Sequence, residues 1–154
     1  MKIIEPLKLL TTILVITFII VNCSSSKSSD DKKSSEIKII ATGASLAGAN
    51  GMSFGPDGNL YVASVLGSSI TVINPESGKI IKVYDETDGV IGPDDLDFAN
   101  DGSWYWTSIM TGEVAGFNKE GKKIIAAQLT PGVNPITFSN NNRLFVSQCF
   151  FGSN

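Results

Sequence analysis

From Glu36 onward, apolar and polar residues alternate in short runs bounded by turn-forming residues. Residues 52–54, 60–65, 70–73 and 79–84 read as four strands, with Asp57-Gly58 turning the first pair and Pro75-Glu76-Ser77-Gly78 the last. A second set follows, with strands at 113–117 and 123–127 joined by Lys119-Glu120-Gly121. No stretch after Ser35 keeps a helical period, so the pattern predicts an all-β domain.

The order of these runs recurs. Asn50-Gly51-Met52-Ser53-Phe54, Asp57-Gly58 and Leu60-Tyr61-Val62-Ala63-Ser64 return as Asp94-Asp95-Leu96-Asp97-Phe98, Asp101-Gly102 and Trp104-Tyr105-Trp106-Thr107-Ser108. They return again as Asn134-Pro135-Ile136-Thr137-Phe138, Asn141-Asn142 and Leu144-Phe145-Val146-Ser147-Gln148. Phe54 and Phe98 are 44 residues apart, Phe98 and Phe138 40, which is the period of a propeller blade. The fold expected for residues 36–154 is therefore all-β, a partial β-propeller of about two and a half four-stranded blades. Glu36-Ile37-Lys38-Ile39-Ile40 resembles the fourth strands Lys79-Ile80-Ile81 and Lys123-Ile124-Ile125, and is expected to close the ring. Propellers close with roughly four to eight blades, so the chain is expected to be an incomplete product; the alternative is that several copies share a ring.

Residues 1–22 have a different pattern. Lys2 and Lys8 precede an apolar run from Leu9 to Val21 that would span about 20 Å as a helix, short for a bilayer and suited to a signal peptide. Ile20-Val21-Asn22-Cys23 resembles a bacterial lipobox, with Asn22 where Gly, Ala or Ser is usual. The resemblance implies a lipid on Cys23 and cleavage before it; an uncleaved anchor and an ordinary secretory signal are the alternatives. Residues 24–35 are only Ser, Lys and Asp, a solvated tether of roughly 20 Å. Ser24 after the cysteine resembles lipoproteins sent to the outer membrane, so export to the cell envelope and attachment to a membrane are expected. Ser24/Lys27 and Ser29/Lys32 match an S-x-x-K spacing, which inside a tether reads as coincidence.

Composition narrows the chemistry. The 154 residues include no histidine, which excludes Ser-His-Asp and Cys-His nucleophile pairs and histidine zinc sites. With 12 basic against 15 acidic residues there is no excess to neutralise a phosphate backbone, so nucleic acid is not an expected partner. Loss of Lys2, Lys8 and Glu5 with the signal takes the formal charge from −3 to −4, which favours cations. Cys149 would have no partner once Cys23 is acylated and reads as a buried or weakly exposed thiol.

Over residues 47–152 the sequence resembles the senescence-marker-protein/gluconolactonase (regucalcin-like) six-bladed propellers. The resemblance rests on the run from Asn50 to Ser64 containing Phe54-Gly55-Pro56-Asp57-Gly58, on Gly92-Pro93-Asp94-Asp95-Leu96 and on Val133-Asn134-Pro135-Ile136-Thr137-Phe138-Ser139. It implies a divalent metal, often Ca²⁺, on the propeller axis, and in some members hydrolysis of sugar lactones. The first residue of each inner strand faces the axis, and those positions here are Asn50, Asp94 and Asn134, the expected metal ligands. Ca²⁺ takes oxygen ligands and needs no histidine. The family's acid/base Asp would lie in a later blade, and Asp95 is the reserve catalytic candidate.

Bland readings stand beside these. Asn and Asp at strand starts commonly bind their own backbone, and Asp57-Gly58 and Asp101-Gly102 read as turns. Tyr61, Tyr105 and Phe145 occupy one repeated place and read as blade packing, whereas Trp104 and Trp106 could instead stack on a sugar. The function expected is that of an exported lipoprotein whose propeller hydrolyses lactones or related esters with a divalent metal. The alternative is a non-catalytic surface propeller binding a sugar or a protein.

Overall fold

The computed structural model describes residues 36–149. The expected signal segment, Cys23 and the expected tether lie outside them. The chain divides between Ile37 and Lys38, and of the first unit only Glu36 and Ile37 are described, neither in regular structure.

Ten strands follow in three antiparallel sheets, each in simple up-and-down order. Blade 1 contains β1 (Ala49–Phe54), β2 (Leu60–Ser64), β3 (Ser69–Ile73) and β4 (Ile80–Tyr84). Blade 2 contains β5 (Pro93–Phe98), β6 (Trp104–Ser108), β7 (Glu113–Phe117) and β8 (Lys123–Gln128). The third sheet pairs β9 (Val133–Phe138) with β10 (Leu144–Gln148). Two 3₁₀ turns, Ala44–Leu46 and Glu86–Asp88, are the helical elements among the described residues.

The turns form for the reasons legible in the repeat. Gly58 and Gly102 have φ of 76° and 87°, in the left-handed region where a side chain is strained. Asp57 accepts from the Asn59 backbone N–H at 3.1 Å, and Asp101 accepts from that of Ser103 at 2.9 Å. In the third sheet Asn142 takes the same place with φ 63°, which asparagine tolerates.

The main core lies between blades 1 and 2. Ala63 and Ile70, with Tyr61 and Tyr84, meet Leu96, Trp104, Trp106 and Phe117, with Phe98. Tyr61 stands edge-on to Phe98 at 4.9 Å, and Tyr84 to Trp104 at 5.2 Å. The next junction repeats this on a smaller scale, with Val114 and Tyr105 against Val133, Ile136 and Leu144, and Tyr105 5.5 Å from Phe138. Each fully buried large apolar side chain contributes roughly 1.5–3 kcal/mol. Trp104 and Trp106 are 6 % and 0 % exposed, so neither offers a face to a sugar. The stacking reading is overturned because both rings fill the inter-blade core.

Glu36–Ile40, expected as a strand, is not one: a strand needs a bonded neighbour, and none is supplied among the described residues. Ile40 nonetheless lines a groove with Leu60 and Ile73, the positions 44 residues before Trp104 and Phe117, which Tyr84 contacts. Ile40 thus sits against blade 1 as Tyr84 sits against blade 2.

Candidate functional site

The inner strands β1, β5 and β9 run side by side, with β5 in contact with both of the others. Each loses its pairing register at one place: between Ala49 and Met52 in β1, between Pro93 and Asp95 in β5, and opposite Val146/Gln148 in β9, where Val133 and Ile136 flank the irregularity. Asn50, Asp94 and Asn134 fall within those irregularities. A bulge lifts a residue out of the ladder and re-aims its side chain, which is why bulges accompany functional sites.

Two residues before each of these, just ahead of the strand, stands a glycine of positive φ: Gly48 at 63°, Gly92 at 50° and Gly132 at 97°. Their spacing, 44 and 40 residues, is that of the repeat. The sequence reading missed them, although the common spacing was there to find. Gly48 and Gly92 serve a second purpose, because a Cβ there would lie 2.9 Å from Leu66 Cγ and 3.3 Å from Met110 Cγ. Leu66 and Met110, 81 % and 67 % exposed, are thus apolar side chains standing beside the glycines that precede the first two bulges.

The structure brings Asn50 and Asp94 into direct contact: Asn50 Nδ2 donates to Asp94 Oδ1 at 2.7 Å. Asp94 is buried and its Oδ2 has no hydrogen-bond partner. Asn134, on the neighbouring strand, likewise has a buried Oδ1 with no partner. None of the three makes the local backbone bond of an Asx turn among the described residues. Three more buried oxygens without partners flank them on the second strands: Ser64 Oγ opposite Ala49, Thr107 Oγ1 opposite Asp95, and Gln148 Oε1 opposite Val133. An unpaired buried oxygen is costly, and a carboxylate more so, unless something else satisfies it. A carboxylate and amides are hard oxygen donors that suit Ca²⁺. Among the described residues no three His, Cys, Asp or Glu side chains gather as a metal group; the candidate set depends on amides.

Asp95 has a different occupation. Its Oδ1 accepts from the Leu96 N–H at 2.9 Å and its Oδ2 from the Ile136 N–H at 3.1 Å. Asp97 does the same one turn of the pleat later, accepting from the Phe98 and Phe138 N–H groups at 2.8 Å and from Thr137 Oγ1 at 3.1 Å. Both carboxylates tie blade 2 to β9. Cys149 is exposed rather than buried; its Sγ lies 3.1 Å from both the Gly132 and the Asn134 carbonyl oxygens, which share its one S–H donor.

No protein-family model matches the chain, and no curated protein matches it. Solved structures do. The gluconolactonase XC5397 of Xanthomonas campestris is 27 % identical with a TM-score of 0.52, over 67 % of this chain and 35 % of that one. A streptogramin B lyase is 17 % identical with a TM-score of 0.59, over 70 % and 36 %. The virginiamycin B lyase of Staphylococcus aureus is 20 % identical with a TM-score of 0.55, over 65 % and 34 %. The chain spans about a third of the length of each. These likenesses and the repeated four-stranded sheets make the described chain part of a β-propeller, a fold shared by a lactonase and by lyases.

Proposed function

We propose that this protein is a propeller hydrolase of lactones or related esters, working at a divalent-cation centre, with Ca²⁺ the favoured ion. The observation that carries the reading is the pair of buried, unpartnered oxygens, Asp94 Oδ2 and Asn134 Oδ1, on equivalent bulges of adjacent inner strands. Asp94, Asn134 and Asn50 would hold the ion, and the ion would supply polarisation of the substrate carbonyl. Asp94 contributes the charge, Asn50 orients its carboxylate through the 2.7 Å bond, and Asn134 adds a neutral oxygen. Leu66 and Met110 favour a substrate with an apolar body beside its carbonyl. The likeness to a gluconolactonase supports the reaction class.

Calorimetric titration with Ca²⁺ and a lactone panel followed by acid release test this together. Asp94→Ala should weaken metal binding at least a hundredfold and Asn134→Ala at least tenfold, with turnover falling in parallel. Turnover indifferent to chelators and to both substitutions would overturn the reading. A second reading, a non-catalytic propeller binding a sugar or a protein, is favoured by the engagement of both Asp95 oxygens in backbone bonds, which stabilise the carboxylate and make it a weaker base. Tight metal binding without turnover would decide for it.

We also infer export and acylation of Cys23, which would hold the domain at a membrane, the outer membrane by the cue of Ser24. Metabolic labelling with a fatty acid, lost in Cys23→Ala, tests this.

A further inference from the structure

Asn50, Asp94 and Asn134 occupy equivalent positions, yet a different residue follows each: Gly51, Asp95 and Pro135. That difference decides what each side chain can do to its own backbone. The main-chain nitrogen after an asparagine can close a five-membered ring on the side-chain carbonyl carbon, provided that it carries a proton and that the following residue has no side chain in the way. Asn134 is barred, because Pro135 has no N–H. Asp94 is 2 % exposed and has no amide to lose. Asn50 meets every condition. Asn50-Gly51 is the only Asn-Gly pair in the chain, and Asn50 is exposed, so water reaches its amide. The β1–β2 register breaks between Ala49 and Met52, which leaves both Asn50 and Gly51 out of the regular ladder. Gly51 is also required where it stands, since a Cβ there would lie 2.5 Å from Asp95 Cα. The close approach of blades 1 and 2 thus calls for the same glycine that opens Asn50 to attack.

We propose that Asn50 is a self-modification site, at which the folded chain converts a neutral amide beside Asp94 into a carboxylate. The Gly51 nitrogen gives its proton to a base in solution and bonds to Asn50 Cγ; the Cγ–Nδ2 bond breaks and the nitrogen leaves as ammonia. Water then opens the succinimide at either carbonyl, giving aspartate or, where the main chain comes to run through the former side-chain carbonyl, isoaspartate. One water is consumed and one ammonia released, and nothing is oxidised or reduced. The hydrogen bond that Asn50 Nδ2 donates to Asp94 Oδ1 at 2.7 Å goes with the departing nitrogen. In the aspartate product two carboxylates face each other there, a pair that repels unless a cation lies between them. Added ligand charge raises Ca²⁺ affinity, so the conversion strengthens the cation centre. That consequence rests on the metal-centre reading; the conversion itself does not. The isoaspartate product lengthens the main chain by one atom where it passes Asp95, and loosens the junction.

The test incubates the full chain, purified in mild detergent, at neutral and at mildly alkaline pH, and follows every asparagine by peptide mapping with mass spectrometry. Labelling by an isoaspartate methyltransferase is the second readout. Asn50 should lose its amide at least tenfold faster than any other asparagine, and faster at the higher pH, because attack needs a deprotonated nitrogen. The methyltransferase signal should vanish in Asn50→Gln, whose longer side chain closes its ring far more slowly. Conversion at Asn50 no faster than at the other asparagines, or seen only once the chain is unfolded in urea, overturns the proposal. In calorimetric titration Asn50→Asp should bind Ca²⁺ at least tenfold more tightly than the unaged chain; equal or weaker binding overturns the gain in affinity. Absence of Ca²⁺ binding by both proteins would count against the metal-centre reading alone, since the peptide map decides the conversion without any metal.

Discussion

Blade 2 and blade 1 have the same strand order and nearly the same pattern, yet differ in what the pattern achieves. In blade 2 both faces are covered, and the side chains at the repeated apolar positions, Leu96, Trp104 and Trp106, are 6 % exposed or less. In blade 1 the corresponding Met52 lies open, and Leu60 and Val62 line a groove of about 370 Å³. The apolar pattern therefore marks positions meant for burial, and a neighbouring blade decides whether burial happens.

The junctions differ as well. Between blades 2 and 3 the inner strands are tied by Asp95 and Asp97. The blade 1 position matching Asp95 is Gly51, where a Cβ would lie 2.5 Å from Asp95 Cα and 2.8 Å from the Asp94 carbonyl oxygen. That junction works by close backbone approach, and it places Asn50 against Asp94.

The sharpest test of the covered-against-open contrast removes one large side chain from each. Trp106→Ala should cost about 3–5 kcal/mol in urea denaturation, since its buried ring cannot be replaced by relaxation. Phe54→Ala, in dilute protein, should stay within about 0.5 kcal/mol. Equal effects would mean that blade 1's outer face is covered in solution.

The two junctions are separated next. Gly51→Ala should destabilise by roughly 1–3 kcal/mol, at the upper end because the obstructing atoms are mostly backbone, and should also weaken metal binding by displacing Asp94. Asp95→Ala should cost roughly 1–3 kcal/mol, nearer the lower end because the residue is only half-buried, by orphaning the Ile136 N–H. Asp95→Asn keeps an acceptor and should recover part of that loss. If instead Asp95→Asn abolished turnover without loss of stability, a catalytic part for Asp95 would be established.

The smallest effect concerns the turns. Hydrogen bonds from Ser103 hold the Asp101 carboxyl below the ordinary aspartate range. At Asp57 partial burial pushes the carboxyl up, but bonds from Asn59 and Tyr61 outweigh it and the net direction is down. Burial, with the Asp57 charge beside it, pushes the Tyr61 phenol up to about 12. A carboxyl lowered by folding stabilises above its unfolded value near 4 and loses that contribution as pH falls through the folded value. Asp57→Asn and Asp101→Asn should therefore each flatten slightly the stability loss below about pH 4, measured by denaturation at stepped pH. The third sheet, with Asn141-Asn142 in the turn, has no such carboxylate to remove.

Much of this was legible in the chain itself. The repeat, the D-G turns and the period-2 runs placed most strands to within a residue or two, because turn geometry and pleat are local properties; β1 begins three residues before the expected start, and Glu36–Ile40 forms no strand. The same spacing singled out Asn50, Asp94 and Asn134 as equivalent positions, and could have singled out Gly48, Gly92 and Gly132. What the chain order could not reveal was which polar group meets which. Asp94 and Asp95 are adjacent and chemically alike, yet one is buried with an open oxygen and the other ties two strands, because the β5 bulge and the approach of β9 assign them different surroundings. Trp106 and Phe145 show the same for apolar groups: both sit at repeat positions suited to packing, and only the presence or absence of a covering blade separates a sealed core from an open face.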